Sequence, residues 1–396
     1  MPKKTVEDID VNGKRVLLRV DFNVPISKNG GGISDDSRIR ASLPTIKYLV
    51  ANKAKVIICS HVGRPKGKVV ENLRMAPIAQ RLSRLMALPV ITASDCIGPQ
   101  VESKVKKLRE GDILVLENLR FHPEEEENDD GFARRLAGLA DIYVDDAFST
   151  AHRDHASIVG VAKYLPAVAG FLMKKELEIM GKLLHDPERP WACLIGGAKG
   201  SDKIELLQNM LRKVDILLVG GGIAATFLKA QGHNVGNSSI DSDKLGLAKE
   251  LLQEAKERGV PFLIPIDVVV AEEIRVGAST RIVPTTDMPA DSHIVDIGPK
   301  SIELFQNELR KCRTVMWNGP MGIYEIPQFA QGTRAIADFL STLDATTVIG
   351  GGSSAEAVQE MGLADKMTHV STGGGASLKF LEGITLTGVK VLLDKE

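Results

Sequence analysis

Short apolar runs rich in β-branched residues alternate along the whole chain with longer stretches of helical period. No other feature limits the fold as much. In the first half the runs are VLLRV (16–20), KVIICS (55–60), ILVLEN (113–118) and IYVDD (142–146). In the second half they are ACLIGG (192–197), ILLVGGG (216–222), FLIPIDVVV (262–270), VMWNG (315–319), TVIGGG (347–352) and HVSTGGG (369–375). Between them RMAPIAQRLSRLMA (74–87), LGLAKELLQEAKERG (245–259) and SIELFQNELRKC (301–312) carry apolar residues three and four apart, the period of a helix with one buried face. Such alternation predicts parallel sheets covered by helices on both faces.

At 396 residues the chain is too long for one ordinary core and suits two domains of roughly 150–200 residues each. The expected architecture is therefore α/β, with two Rossmann-like doubly wound parallel-sheet domains joined by an interdomain helix and hinge. The segment KYLPAVAGFLMKKELEIMGKLLHDPERP (163–190) combines a long helical pattern with a proline-bounded loop, which places the break there. The domains are read as 1–169, a linking helix at 170–186, 187–380, and a tail at 381–396 whose docking partner the pattern does not reveal.

A net charge of -1 gives no global basicity for nucleic acid. No apolar run of membrane-spanning length occurs, and MPKKTVEDID lacks a signal-peptide core. The cysteines, Cys59, Cys96, Cys193 and Cys312, are far apart with no C-x-x-C. They read as buried free thiols in a reducing, cytoplasmic setting. HPEEEENDD (122–130) reads as a solvated helix start or loop.

In open parallel sheets ligands bind beyond the carboxyl ends of the strands, so the residues after each run decide the chemistry. After the first-half runs come Asp21 and Asn23, His61 and Arg64, Arg120, and Arg153, with Arg38 after a turn-like insert. Guanidinium forks match carboxylate and phosphate oxygens, so this end is expected to hold a small, multiply negative molecule. Asp21 and Asn23 would read its hydroxyl-bearing part. After the second-half runs come Gly196-Gly197, Gly220-Gly221-Gly222, Gly350-Gly351-Gly352 and Gly373-Gly374-Gly375. Glycine lets backbone N–H groups approach phosphate, and Ser353-Ser354 begins a helix whose N-terminus favours anions. With Lys199 and Lys203 in GGAKGSDK, this half is expected to hold a polyphosphate. Two anions held by facing domains on a hinge point to transfer of a group between them.

Rival readings fare worse. A dehydrogenase needs G-x-G-x-x-G after a strand, and none of the glycine clusters fits. HRD (152–154) lacks the other protein-kinase signatures. His152 and His155 have no evident third metal ligand. A non-catalytic nucleotide-binding protein of the same fold is the remaining alternative.

The segments RVDFNVP (19–25), DDSRI (35–39), SHVGRPKG (60–67), LENLRFHPEEE (116–126), DDAFSTAHRDHAS (145–157), GGAKGSDKI (196–204), GGGIAATFL (220–228), MWNGPMGIYE (316–325) and STGGGASLKFLEG (371–383) resemble the phosphoglycerate kinase family from end to end and in its order. The resemblance implies reversible phosphoryl transfer between 1,3-bisphosphoglycerate with ADP and 3-phosphoglycerate with ATP, with Mg²⁺ on the nucleotide and a monomeric enzyme. It implies a 3-phosphoglycerate site at Asp21, Asn23, Arg38, His61, Arg64, Arg120 and Arg153. The nucleotide site would use Lys199, Lys203, Asn318, Pro320, Glu325 and the turn Gly350, Gly351, Gly352, Ser353, Ser354, with Glu325 on the ribose. Catalytic charge would fall to Arg38 and Lys199, aided by amides of Gly352 and Gly374; the residues that would hold the metal are left unassigned. Three departures stand out: Ser353 where the family carries aspartate, Ser149 where glycine is usual, and Gly200 where a valine-like residue is common. The first removes a carboxylate expected at the Mg²⁺-nucleotide, a place that Asp202 or water would have to fill.

Overall fold

The computed structural model describes residues 2–26, 32–198 and 201–395, and the side chains of Ser201 and Asp202 are outside that description. The chain divides into two compact units, Met1–Glu178 with Thr385–Glu396, and Ile179–Ile384. The division falls inside the helix Phe171–His185. Asp146 Oδ1 accepts from the amides of Leu172 and Met173 at 2.8 and 3.2 Å, satisfying N–H groups that the first helical turn leaves without partners.

In the first unit the strands are β1 (Arg15–Arg19), β2 (Lys55–Cys59), β3 (Val90–Thr92), β4 (Ile113–Val115), β5 (Ile142–Asp145) and β6 (Ala167–Ala169). They form one sheet in the order β3-β4-β2-β1-β5-β6. Every pair is parallel. Leu17 sits opposite Ile57 and Tyr143, all fully buried, as expected where helices cover both faces. The chain leaves the β1–β5 junction in opposite directions across the sheet, which is where such a fold opens a ligand crevice. The strands β3 and β6 escape a reading based on apolar runs, β3 because two of its three residues are exposed and β6 because two of its three are alanine. The tail docks on this unit: Gly388 N donates to Ala151 O at 2.8 Å and Leu393 N to Ala167 O at 2.9 Å. A Cβ on Gly388 would stand 2.9 Å from Ala151 Cα and Ile158 Cγ2, so only glycine permits that approach.

The second unit contains β7 (Trp191–Ile195), β8 (Ile216–Val219), β9 (Phe262–Leu263), β10 (Asp267–Ala271), β11 (Arg281–Pro284), β12 (His293–Ile297), β13 (Thr314–Asn318), β14 (Thr346–Gly350) and β15 (His369–Val370). Its six-stranded sheet runs β15-β14-β13-β7-β8-β9, the mononucleotide-fold order with the reversal between β7 and β13. One expectation changes here. FLIPIDVVV is not one parallel strand but β9, then β10, which pairs antiparallel with β11 and β12 in a separate sheet. Pro265 lies in the break and has no N–H to continue a ladder.

The acidic run also differs from expectation. Pro123–Glu126 forms a helical turn and Asp129 caps Asp130–Ala137, but Glu125 is only 1% exposed. Both Glu125 oxygens are held by Ser157, from its amide at 2.9 Å and its hydroxyl at 2.6 Å. Hydrogen bonding rather than solvation keeps this acid in place. All four cysteines are free and buried, and burial pushes the Cys59 and Cys193 thiols up to about 12. Among the described residues no helix is long and apolar enough to cross a membrane.

Candidate functional site

At the carboxyl edge of the first sheet, Asp21 follows β1 and is buried. Its Oδ2 pairs with Arg38 and accepts from Ser149 Oγ at 2.5 Å, while Oδ1 accepts the Asn23 amide at 3.1 Å. Burial works to raise the Asp21 carboxyl, but the Arg38 charge and the hydrogen bonds from Ser149 and Asn23 act against it, and the carboxyl stays below the usual range. Ser149, one of the three departures, thus gives Asp21 a hydroxyl partner that glycine cannot.

The loops after β1, β2 and β4 are tied to one another. Asn23 Oδ1 accepts from Gly63 N at 2.8 Å. Asn118 is fully buried, donates Nδ2 to Val62 O and Leu73 O at 2.8 and 3.0 Å, and accepts the Val62 and Arg120 amides on Oδ1 at 3.3 and 3.1 Å. Arg120 reaches Gly63 O at 3.0 Å and Glu126 at 3.2 Å. His61 is buried, and burial first, then the charges of Arg19, Arg120 and Arg153, lower its pKa well below the imidazole norm against the pull of Asp21. Asp21, Arg38, His61, Arg120 and Arg153 therefore share one electrostatic environment. Arg64 is exposed and its charge is not among the main ones acting there.

Reading the sequence by strand ends missed Arg19. It is the last residue of β1 itself, 1% exposed, and it touches His61. The signal was present as a lone cation in an otherwise apolar run, since a buried charge needs partners.

In the second unit a cavity of about 770 Å³ opens at the reversal of strand order. Its wall includes Gly197, Lys203, Gly221, Asn318, Pro320, Glu325, Gly351, Gly352, Ser353, Ser354 and Gly374. Gly196, Gly220 and Gly350 lie at strand ends outside that wall. Lys199 and Gly200 lie outside the described residues.

The glycine clusters divide into two kinds. The amides of Gly196, Gly197, Gly220, Gly221 and Gly222 donate to Asn318 O, Pro320 O, Ile195 O, Met321 O and Gly197 O respectively, so those N–H groups stitch strand ends together. Gly221 has φ +60°, and a Cβ there would meet Gly197 N at 2.6 Å and Pro320 O at 2.8 Å. Gly352, Gly374 and Gly375 have open space where a Cβ would stand. There the helix Gly352–Glu360 presents its first turn, whose amides lack helical partners and favour an anion.

Polar side chains complete the wall. Asn318 is buried, and its Nδ2 has no acceptor among the described residues, an arrangement costly without a ligand oxygen. Lys203 Nζ donates to Gly196 O at 2.5 Å, and burial lowers its pKa to about 8. Ser354 is not free to face a ligand, since its Oγ accepts Gly319 N at 2.6 Å, whereas Ser353 is exposed.

Elsewhere one set of metal-type donors comes together among the described residues, Asp95, Cys96 and His122. These atoms already satisfy one another and the backbone: His122 Nε2 lies 2.6 Å from Asp95 Oδ1, and the Cys96 thiol donates to Glu117 O at 3.0 Å. His155 lies 3.7 Å from buried Glu125 and belongs to no such set.

The phosphoglycerate kinase family model matches residues 6–384. The phosphoglycerate kinases of Pelotomaculum thermopropionicum and Moorella thermoacetica are 57% and 53% identical to the chain, each over 395 residues, and the match covers both partners completely. Among solved structures, the phosphoglycerate kinase of Coxiella burnetii superposes with a TM-score of 0.87 at 39% identity, and that of Pyrococcus horikoshii with 0.88 at 33%. Each covers 98% of both chains. With a match along its whole length, the chain belongs to the phosphoglycerate kinase family.

Proposed function

We propose that the arginine-rich strand ends of the first unit hold 3-phosphoglycerate or 1,3-bisphosphoglycerate and that the cavity of the second unit holds ATP or ADP. The observation that carries this is the contrast in donors. One sheet edge gathers guanidinium groups around Asp21 and His61. The other offers backbone amides, a buried unpaired amide on Asn318 and a lysine whose charged form burial disfavours. A small acid with fixed charges suits the first, and a polyphosphate suits the second.

The chemistry needs no general base. In the ATP-consuming direction the substrate carboxylate is ionised at neutral pH. One of its oxygens forms the new bond to the γ-phosphorus as the bond to the ADP leaving oxygen breaks. Positioning and charge neutralisation then carry the rate. In this reading Arg38 supplies positive charge when it exchanges Asp21 for substrate, and the open amides at Gly352 and Gly374 face the phosphates. Lys199 keeps the same role as a proposal from sequence. Glu325 and Pro320 line the nucleotide cavity, Glu325 as acceptor for ribose hydroxyls.

Mg²⁺ fits as an ion brought by the nucleotide. Glu325 is the one carboxylate among the described lining residues, and the exposed side chain at the helix start is the neutral Ser353. Magnesium retains waters and takes phosphate oxygens readily, so Ser353 and water would complete its shell and the metal would offset phosphate charge. We further propose a monomer in a reducing cytoplasm, consistent with four free buried thiols; light scattering on the purified protein tests the first point. The central test is a coupled assay with 3-phosphoglycerate, ATP and Mg²⁺. Turnover that requires all three supports the reading, and nucleotide binding without turnover would favour the non-catalytic alternative.

A further inference from the structure

Arg19 ends β1 and is almost wholly buried. Its Nε donates to Ser157 Oγ at 3.0 Å, one terminal nitrogen donates to Val20 O, and the other lies 3.3 Å from His61 Nδ1. The direction of each proton follows from chemistry. Ser157 gives its hydroxyl proton to Glu125 Oε1 at 2.6 Å, so its lone pair faces Arg19. A guanidinium has five N–H donors, no acceptor, and does not deprotonate in proteins. At the far end, His61 Nδ1 must therefore offer a lone pair, and the single ring proton of the neutral imidazole stands on Nε2.

We infer that Arg19 is a positioning residue that locks His61 in its neutral Nε2–H tautomer, so that His61 serves the acid substrate as a hydrogen-bond donor and not as a cation. The use made of that donor rests on the acid site proposed above; the tautomer itself does not. The charged groups acting on the ring are Arg19 and Asp21 from the β1 end, Arg120 after β4 and Arg153 after β5. Three of these four are cations, and a protonated ring would also turn an N–H toward the Arg19 N–H. Burial works in the same direction. The substrate's negative charge then falls to arginines, whose charge does not vary across the physiological range.

Nitrogen NMR of the ligand-free, full-length protein labelled at histidine reads the tautomer directly. His61 is assigned by the signal lost in His61→Gln. The expected result is an unprotonated Nδ1 and a protonated Nε2 that hold from about pH 5.5 to about pH 8. A protonated Nδ1, or a ring that titrates near its ordinary value, overturns the inference whether or not an Arg19 variant folds. In Arg19→Gln the amide can donate or accept, so the ring should populate both tautomers and begin to titrate. Arg19→Lys, again a donor only, should restore the single tautomer, which a merely structural loss would not do. In the Gln variant KM for 3-phosphoglycerate should rise about tenfold with kcat nearly unchanged, the effect of losing one aligned bond to a charged group. Adding 3-phosphoglycerate to the wild type should shift the Nε2 resonance. A locked tautomer that ignores the substrate would uphold the Arg19–His61 lock and refute only the acid-site reading.

Discussion

In the proposed nucleotide site, the partly buried ammonium of Lys203 should make nucleotide binding a proton-linked event. Burial takes its pKa from 10.5 to about 8, a cost for the charged form of about 3 kcal/mol. The folded value lies below the unfolded one, so this cost is felt in full below pH 8. It is relieved as pH rises from about 8 toward 10.5, where the folded protein has lost the proton and the unfolded chain retains it. A polyphosphate in the cavity restores a partner for the charge and raises the pKa again. At pH 9 the free protein carries about one-tenth of that proton, so binding of Mg²⁺-ADP should take up about 0.9 proton, against about 0.1 at pH 7. Affinity should fall about tenfold between those two pH values. Calorimetry at pH 9 in two buffers of different ionisation enthalpy measures the uptake. The nucleotide phosphates are already fully ionised there, having a second pKa near 6, so they contribute little. Lys203→Arg, charged throughout, should show almost none. Uptake below about 0.2 proton in the wild type, or equal uptake in the Arg variant, would show that Lys203 does not receive the proton on binding.

Other outcomes are expected from the same geometry. Arg38 is 41% exposed but pairs with buried Asp21. Arg38→Ala should therefore cut turnover by at least about 10²-fold with an unchanged circular dichroism spectrum, and near wild-type turnover would remove Arg38 from the reaction. Ser353→Asp places a carboxylate in the first turn beside the cavity, so the Mg²⁺ concentration for half-maximal activity should drop several-fold; an unchanged metal dependence would show that this turn does not face the metal. Gly221→Ala puts a Cβ 2.6 Å from Gly197 N at φ +60°. A loss of about 1–3 kcal/mol in denaturant unfolding is expected, with weakened ADP binding, and an unaltered midpoint would mean that the turn adapts.

Period and punctuation determine a great deal of this protein. A strand whose two faces are both covered must be apolar throughout, and a helix packed on it must repeat at 3.6 residues. These local rules made the two parallel sheets legible in runs such as KVIICS and in stretches such as 245–259, which folds as the helix Leu245–Arg258. They failed where the rule is weak. An exposed edge strand such as β3 and an alanine strand such as β6 carry too little pattern, and FLIPIDVVV hides a change of sheet because both halves are equally apolar.

For the candidate site, sequence could name the residues beyond each strand because chain connectivity puts them there. It could not say which donors remain free. GG at 196–197 and GGG at 350–352 look alike in a sequence, yet the first spends its amides on Asn318 and Pro320 while Gly352 stands beside open space. Nor could an isolated arginine in VLLRV reveal that it turns inward to Ser157 and His61. Hydrogen-bond partners, burial and the proton positions they impose depend on residues far apart in the chain, and they exist only once the tertiary structure has brought those residues together.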